Sequence, residues 1–349
     1  MIIAFLIKFF IIFVISFVLL KLAIPRAQKF GLIDVPNDRS AHKVPVPRGA
    51  GIIFGFVFLL GVLMFYSLHV TTTPYLYTFL SLLIVYATGV YDDFKDISSR
   101  KKFIFIILAT SIAYYDGFAI TSLGHYFGYE LSLGYLALPF TIFAVVGFTN
   151  AVNLTDGLDG LAGSISIVML LGLLYIGIIQ KDELLMCLSL LLIASVAAFL
   201  VFNWYPAKVF MGDSGSLFLG FSIALLSIYA LKYINPSSIL FLAAIPLLDT
   251  LMVMKRRKQR KQSLFVADKN HLHHILLNFK KDKLFTVASL IKLQIVFVLI
   301  FVQVYQEADF INLILFLMLF SIFFNLFDPR MNHRKKIKSA AARNLRKNH

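Results

Sequence analysis

Continuous runs of apolar residues recur from one end of this 349-residue chain to the other, and they leave little sequence for anything else. Crossing the hydrocarbon core takes about 20 apolar residues in a helix. Eleven segments read this way: 2–22, 51–69, 75–91, 103–115, 136–151, 160–179, 184–203, 214–231, 237–254, 285–304 and 310–327. The fourth and fifth are short or interrupted by polar residues. A soluble domain is close to half apolar, whereas this chain is 59% hydrophobic. The fold class expected is all-α: a polytopic membrane protein of about 11 transmembrane helices. One multi-span domain covers residues 1–327, and a basic tail covers 328–349. A signal peptide is the competing reading of the first segment. Its poorly charged flank, the lack of a clear small-residue cleavage site and the ten spans that follow oppose it.

Lys and Arg distribute unevenly between alternate loops. Residues 21–50 hold six, 92–102 four, 204–213 one, 255–284 ten and 328–349 eight, which is 29 of the 33. The opposite side has only Lys181 and Lys232. Positive loops stay in the cytoplasm, so the N-terminus is expected outside and the C-terminus inside. The net charge of +15 then reflects topology and contact with anionic lipid, not nucleic acid. Cys187, the single cysteine, lies in an apolar run, so no disulfide forms within the chain and no Cys-based metal site is built.

Every polar cluster of interest falls on the cytoplasmic side. In "VYDDFKD", Asp92 and Asp96 would share a helical face with Asp93 beside them. Grouped carboxylates suit Mg²⁺ or Mn²⁺; a solvated helix end neutralised by Lys95, Arg100, Lys101 and Lys102 is the alternative. "NAVNLTDGLDGLAG" carries Asn150, Asn153, Asp156 and Asp159 with no Lys or Arg, and its glycines suggest a turn or broken helix close to a ligand. A Gly-containing turn with a capping Asp is the structural reading. "NWYPAKVFMGDSGSLFLG" places Phe210 and Met211 in a short loop before Asp213. Capping explains Asp213, but an exposed aromatic suggests stacking on a base. "ADKNHLHH" offers His271, His273 and His274 in the most basic loop, where phosphate fits better than zinc. "NDRSAHKVPVPRGAGI" brings Arg39, His42, Lys43 and Arg48 to the surface, for a lipid phosphate or for topology alone.

Taken together, an acidic centre ringed by cations suits phosphoryl transfer between two anions. A secondary transporter would instead place its charges near the bilayer midplane and often shows repeated halves. A non-catalytic scaffold would be expected to have lost an acidic site, and the long acidic motif of the CDP-alcohol phosphotransferases is not visible.

"VYDDFKD", "NAVNLTDGLDGLAG", "VFMGDSGSLFLG" and "HLHH", in this order, resemble the polyprenyl-phosphate N-acetylhexosamine-1-phosphate transferases, the family that includes MraY, WecA and TagO. The resemblance runs from about Asp34 to His274. It implies transfer of HexNAc-1-phosphate from a UDP-sugar to undecaprenyl or another polyprenyl phosphate, releasing UMP. It also implies Mg²⁺, with Mn²⁺ as a substitute, and a multi-pass enzyme of the bacterial inner membrane with a cytoplasmic active site. The partners are the two substrates and membrane lipids, and the family often forms homodimers. Carried over by motif, Asp92, Asp93, Asp159, His271, His273 and His274 are the catalytic candidates. Lys43, Lys102, Asn150, Asn153, Asp156, Asn203 and Phe210 are the substrate-binding ones, and Asp213 with Asp156 would hold the metal. "HLHH" replaces the run of three histidines of MraY-type sequences, and Asp96 stands where they usually have Lys. Both features point to the WecA/TagO-like branch and to a simple UDP-HexNAc, GlcNAc foremost, with FucNAc and QuiNAc donors open. Direct displacement is the expected mechanism; Asp92 as a covalent nucleophile competes with it.

Overall fold

The structure is a computed structural model, and it describes residues 2–36, 44–66, 75–259, 261 and 271–327. The apolar segments coincide with α1 (Ile2–Ala23), α2 (Ala50–Tyr66), α3 (Leu76–Lys95), α4 (Ser99–Tyr114), α5 (Ala137–Thr155), α6 (Leu161–Gln180), α7 (Glu183–Asn203) and α8 (Asp213–Ala230). They continue in the pair α9 (Ile239–Leu242) and α10 (Ala244–Gln259), then α12 (Lys283–Val304) and α13 (Asp309–Leu326). A further short helix, α11 (Leu272–Lys280), follows the basic loop. Seven helices are long and apolar enough to cross a membrane, or eight if the bent α9/α10 pair is one span. The protein is a helical, multi-pass membrane protein.

Small residues decide how closely the helices approach. With lipid as solvent, helix association relies on close backbone packing, which glycine permits. A Cβ at Gly51 of α2 would lie 1.9 Å from the Gly215 nitrogen of α8. One at Gly89 of α3 would lie 2.5 Å from Ser214 Cα, and one at Gly220 of α8 would lie 2.9 Å from Thr149 Cα of α5. Helix α8 is therefore clasped by α2, α3 and α5, and 16 of its 18 residues are buried.

The ninth segment is broken by 89° between α9 and α10. Pro246 has no N–H to give the Leu242 carbonyl one turn earlier. Gln294 of α12, 0% exposed, fills the gap. Its Nε2 donates to Leu242 O at 2.7 Å, and its Oε1 accepts from Ile245 N at 3.1 Å.

Short strands interrupt the all-α pattern. Strands β1 (Ile33–Asp34) and β2 (Val46–Pro47) pair antiparallel, as do β3 (Ser122–Tyr126) and β4 (Tyr129–Ser132). The second pair is a hairpin turning through Phe127 and Gly128, both at positive φ.

On the side of the molecule that holds the N-terminus of α7, Asp182 forms a separate polar knot. It accepts from Leu185 N at 2.7 Å, Tyr233 OH at 2.7 Å and Lys232 Nζ at 2.8 Å. These donors hold the Asp182 carboxyl below its usual range against the opposing effect of burial, and Asp182 in turn raises Lys232.

Candidate active site

The acidic motifs converge at one end of the bundle, where the C-terminal ends of α3 and α5 meet the N-terminus of α8. Asp92, 4% exposed, lies in the last turn of α3 with both oxygens engaged: Ile97 N donates at 2.8 Å and Lys102 Nζ at 2.7 Å. Lys102, on the first turn of α4, also donates to Asp213 Oδ2. One ammonium thus bridges Asp92 and Asp213, which lie 121 positions apart in the sequence. Asn153 Nδ2 donates to Asp213 Oδ1 at 2.8 Å and to Ser216 Oγ at 2.7 Å, so it fixes the carboxylate from the other side.

Asp93 does something different. Its Oδ1 accepts from Asp213 N at 2.9 Å and its Oδ2 from Ser214 N at 3.2 Å. The first N–H groups of a helix have no intrahelical partner and favour negative charge. Asp93 supplies both needs for α8 from a neighbouring helix. Gly212 makes room: at φ 74° it adopts a left-handed conformation, and a Cβ there would meet the Asp93 carboxylate at 2.6 Å.

Asp96 departs from the shared helical face. Helix α3 stops at Lys95 and Asp96 turns left-handed at φ 45°, pairing with Arg48 at 3.3 Å on the surface. Arg48 also donates to the Asp93 carbonyl at 3.0 Å. Asp156 and Asp159 also leave the helix. Helix α5 ends at Thr155 and α6 begins at Leu161, so the glycine-rich residues 156–160 form a turn. Burial first, then the charges of Asp213, Asp93 and Asp159, push the Asp156 carboxyl up to about 7. Asp159 Oδ2 accepts from Ala207 N at 3.2 Å. Asn203, 2% exposed, accepts from Gly160 N at 2.9 Å and donates to Val209 O at 2.8 Å. Asp159 and Asn203 therefore fasten this turn to the loop before α8. Asn150 lies one turn before Asn153 on α5 and is half-buried.

The loop before α8 corrects the expectation that Phe210 and Met211 are exposed. Met211 is 0% exposed and Phe210 is half-buried. Three backbone hydrogen bonds lace the loop to β2 and the start of α2: Phe210 N to Pro47 O, Ala50 N to Phe210 O and Gly51 N to Met211 O.

The histidines reach the same region from α11. His271 and His273 stack with ring centroids 5.8 Å apart and planes 10° apart, and His274 lies 4.2 Å from His273. A Cβ at Gly157 would lie 2.4 Å from His273 Nε2, so this ring abuts the Asp156 turn. Burial, and then His274, push the His273 ring down to about 3. That shift favours the neutral form of the His273 ring. Lys43, with Arg39 and His42, lies outside the described residues, as does the tail 328–349.

An apolar groove of about 520 Å³ opens beside the cluster. Leu19, Ile24, Phe30, Ile53 and Phe94 line it, and Arg48 and Gly49 form its polar margin. Gly49 is close enough to the acids that a Cβ there would lie 3.6 Å from Asp93 Oδ2. A cavity of about 530 Å³ at the other end of α3, lined by Tyr75, Asp116, His125 and Lys232, holds none of these motifs.

A single bundle end thus combines buried carboxylates, a bridging ammonium and an amide, next to an apolar groove. Residues 75–231 match the profile of glycosyl transferase family 4. The chain is also 34% identical over 287 residues to the probable undecaprenyl-phosphate N-acetylglucosaminyl 1-phosphate transferase of Bacillus subtilis (strain 168), covering 80% of this chain and 77% of that protein. The chain belongs to glycosyl transferase family 4. The undecaprenyl-phosphate alpha-N-acetylglucosaminyl 1-phosphate transferases of Yersinia pestis and Escherichia coli (strain K12) are 33% and 31% identical to it. Those matches cover 76% and 72% of this chain, and 75% and 70% of the respective proteins. The region matching glycosyl transferase family 4 holds Asp92, Lys102, Asn153 and Asp213, the four groups joined by hydrogen bonds.

Sequence reasoning missed two contributors. Ser216 shares Asn153 with Asp213, and no spacing rule singles it out. Asp249 binds His271 Nδ1 at 2.8 Å. It did have a signal, since an acid inside an apolar segment is a functional candidate by default.

Proposed function

We propose that this protein transfers N-acetylhexosamine-1-phosphate, GlcNAc-1-phosphate foremost, from its UDP derivative to undecaprenyl phosphate, releasing UMP. The observation that carries the proposal is the apolar groove ending at Arg48 and Gly49 beside the Asp92–Lys102–Asp213 cluster. A hydrocarbon tail and a phosphate must be served a few ångströms apart, and these features lie side by side. The relatives are named for undecaprenyl phosphate and N-acetylglucosaminyl 1-phosphate, which supports the acceptor and the transferred group. The uneven Lys and Arg count supports eleven crossings, an N-terminus outside and an active site on the cytoplasmic face of the inner membrane.

The donor set fits a divalent cation. Among the described residues no three His, Cys, Asp or Glu side chains converge as a metal cage. Mg²⁺ needs only one or two carboxylates when phosphates and water complete its shell. Asp213 and Asp156 would supply them, with Mn²⁺ as a substitute. Burial is the first cause of the raised Asp156 carboxyl; the charges of Asp213, Asp93 and Asp159 add to it, and such a cation would offset that second part. When bound, the ion supplies charge neutralisation on the diphosphate.

The protein's own groups do the positioning. Lys102 bridges Asp92 and Asp213, offsets part of their charge and would stabilise phosphoryl oxygens in the transition state. Asp92 orients Lys102 and the lipid phosphate. Asp93 fixes the N-terminus of α8, and so the direction of Asp213. Asn153 orients Asp213, while Asp159 and Asn203 hold the loop that presents Phe210 to the uracil, with Asn150 nearby. The lipid phosphate attacks the β-phosphorus in line, and UMP leaves. A panel of UDP-sugars with purified protein, undecaprenyl phosphate and Mg²⁺, scored by UMP and lipid product, tests this. Folded protein that releases no UMP from any UDP-HexNAc would sink it.

A further inference from the structure

Asp249 lies on α10, 4% exposed, and among the described residues neither Lys nor Arg pairs with it. Burying a lone carboxylate is costly unless hydrogen bonds satisfy it. Two donors do: His271 Nδ1 at 2.8 Å from Oδ2, and Leu272 N at 2.7 Å from Oδ1. The second contact ties Asp249 to the first residue of α11. The first fixes the His271 ring, which stacks on His273, and His273 in turn abuts Gly157. A continuous chain of contacts therefore runs from α10 to the Asp156 turn.

We propose that Asp249 is the positioning residue of the histidine motif in the transfer reaction, an assignment that rests on the transferase reading. A carboxylate only accepts hydrogen bonds, so His271 Nδ1 carries a proton and Nε2 is the ring nitrogen left to interact with a substrate oxygen. The same carboxylate holds α11 in place, so one side chain sets the tautomer, the ring plane and the backbone position. Helix capping alone would account for the Leu272 contact but not for the contact with the ring.

Asp249→Asn tests this, because the amide offers one acceptor and one donor. If its oxygen keeps Leu272 N–H, its NH₂ faces Nδ1 and favours the tautomer protonated on Nε2. With wild-type protein releasing UMP in the same assay, the expected result is a fall in kcat of about 100-fold, the lower range for lost acid–base or hydrogen-bonding catalysis. KM for the UDP-sugar should change less than about threefold, because the Asp249 carboxylate is taken up by His271 and Leu272. The double variant Asp249→Asn/His271→Ala should be no slower than His271→Ala alone, since the two act as a unit. A kcat for Asp249→Asn within about threefold of wild type, or losses that multiply in the double variant, would overturn the proposal. His271→Asn decides the matter if Asp249→Asn does not fold. Its amide can still donate to Asp249, so the melting temperature should hold while turnover falls by about 100-fold; retained turnover would overturn the proposal. A wild-type protein without activity would refute the transferase reading, not this one alone.

Discussion

Replacing Gly89 with alanine should disable the site from a position that touches no substrate. The added methyl would lie 2.5 Å from Ser214 Cα and 2.8 Å from the Asp213 carbonyl oxygen. Ordinary contact begins near 3.4 Å, so α3 and α8 must part by about 1 Å. Both opposing atoms are backbone, so no rotamer change relieves the clash. Overpacking of this kind costs about 1–3 kcal/mol. The same interface holds the two Asp93 bonds to α8, at 2.9 and 3.2 Å. Lengthening each by about 1 Å takes them beyond hydrogen-bonding range. Bonds to a charged acceptor are worth about 1.5–3 kcal/mol. The total loss expected is about 3–5 kcal/mol, since the two effects share one displacement. A 1 Å displacement of Asp213 should also lower turnover by about 100-fold. Thermal melting in detergent and UMP release on the same samples measure both. Gly147→Ala on α5 is the control, because nothing lies within 4 Å of a Cβ there. A Gly89→Ala protein with turnover within about threefold of wild type would show that the α3–α8 crossing does not set the geometry of Asp213.

Gln294→Leu should destabilise the protein by about 2–4 kcal/mol, because it strands the Leu242 carbonyl and the Ile245 N–H at the α9/α10 break. A melting temperature equal to wild type would refute that role. Asp182→Asn should cost about 2–3 kcal/mol at neutral pH through lost charged hydrogen bonds and a weaker α7 cap. Its folded carboxyl titrates below the unfolded value, so this stability is complete above the unfolded pKa of about 4 and disappears as pH falls through the folded value. The difference in melting temperature between wild type and Asp182→Asn should therefore shrink below about pH 4; a constant difference would contradict it. Chelation with EDTA should abolish UMP release, and added Mg²⁺ should restore it in the wild type but not in Asp213→Asn.

The helices were legible because bilayer thickness writes itself into run length: each apolar run coincides with a helix or with the α9/α10 pair, and seven or eight of these are long and apolar enough to cross a membrane. The convergence of Asp92, Lys102, Asn153 and Asp213 was legible as a set of residue types on one side of the membrane. How the set divides its labour was not. Asp92 and Asp93 are adjacent in sequence and alike in chemistry, yet one binds the Lys102 ammonium and the other caps α8. That difference depends on where α3 crosses α8, more than a hundred residues later. Glycines on opposing helices set that crossing, and they carry no periodic signal. Met211 hides for the same reason: the loop looks exposed until β2 and α2 come down on it. Asp249 was overlooked although its setting marked it. A carboxylate in an apolar segment must be satisfied by something, and its partner had to be a donor brought from elsewhere in the chain. In "VYDDFKD" the charges that looked like one ligand set are better understood as three separate tasks. Asp92 meets a cation, Asp93 meets a helix terminus, and Asp96 meets Arg48 at the surface. Removing Asp93 should then displace Asp213, removing Asp92 should free Lys102, and removing Asp96 should disturb the site least, because an exposed ion pair contributes little.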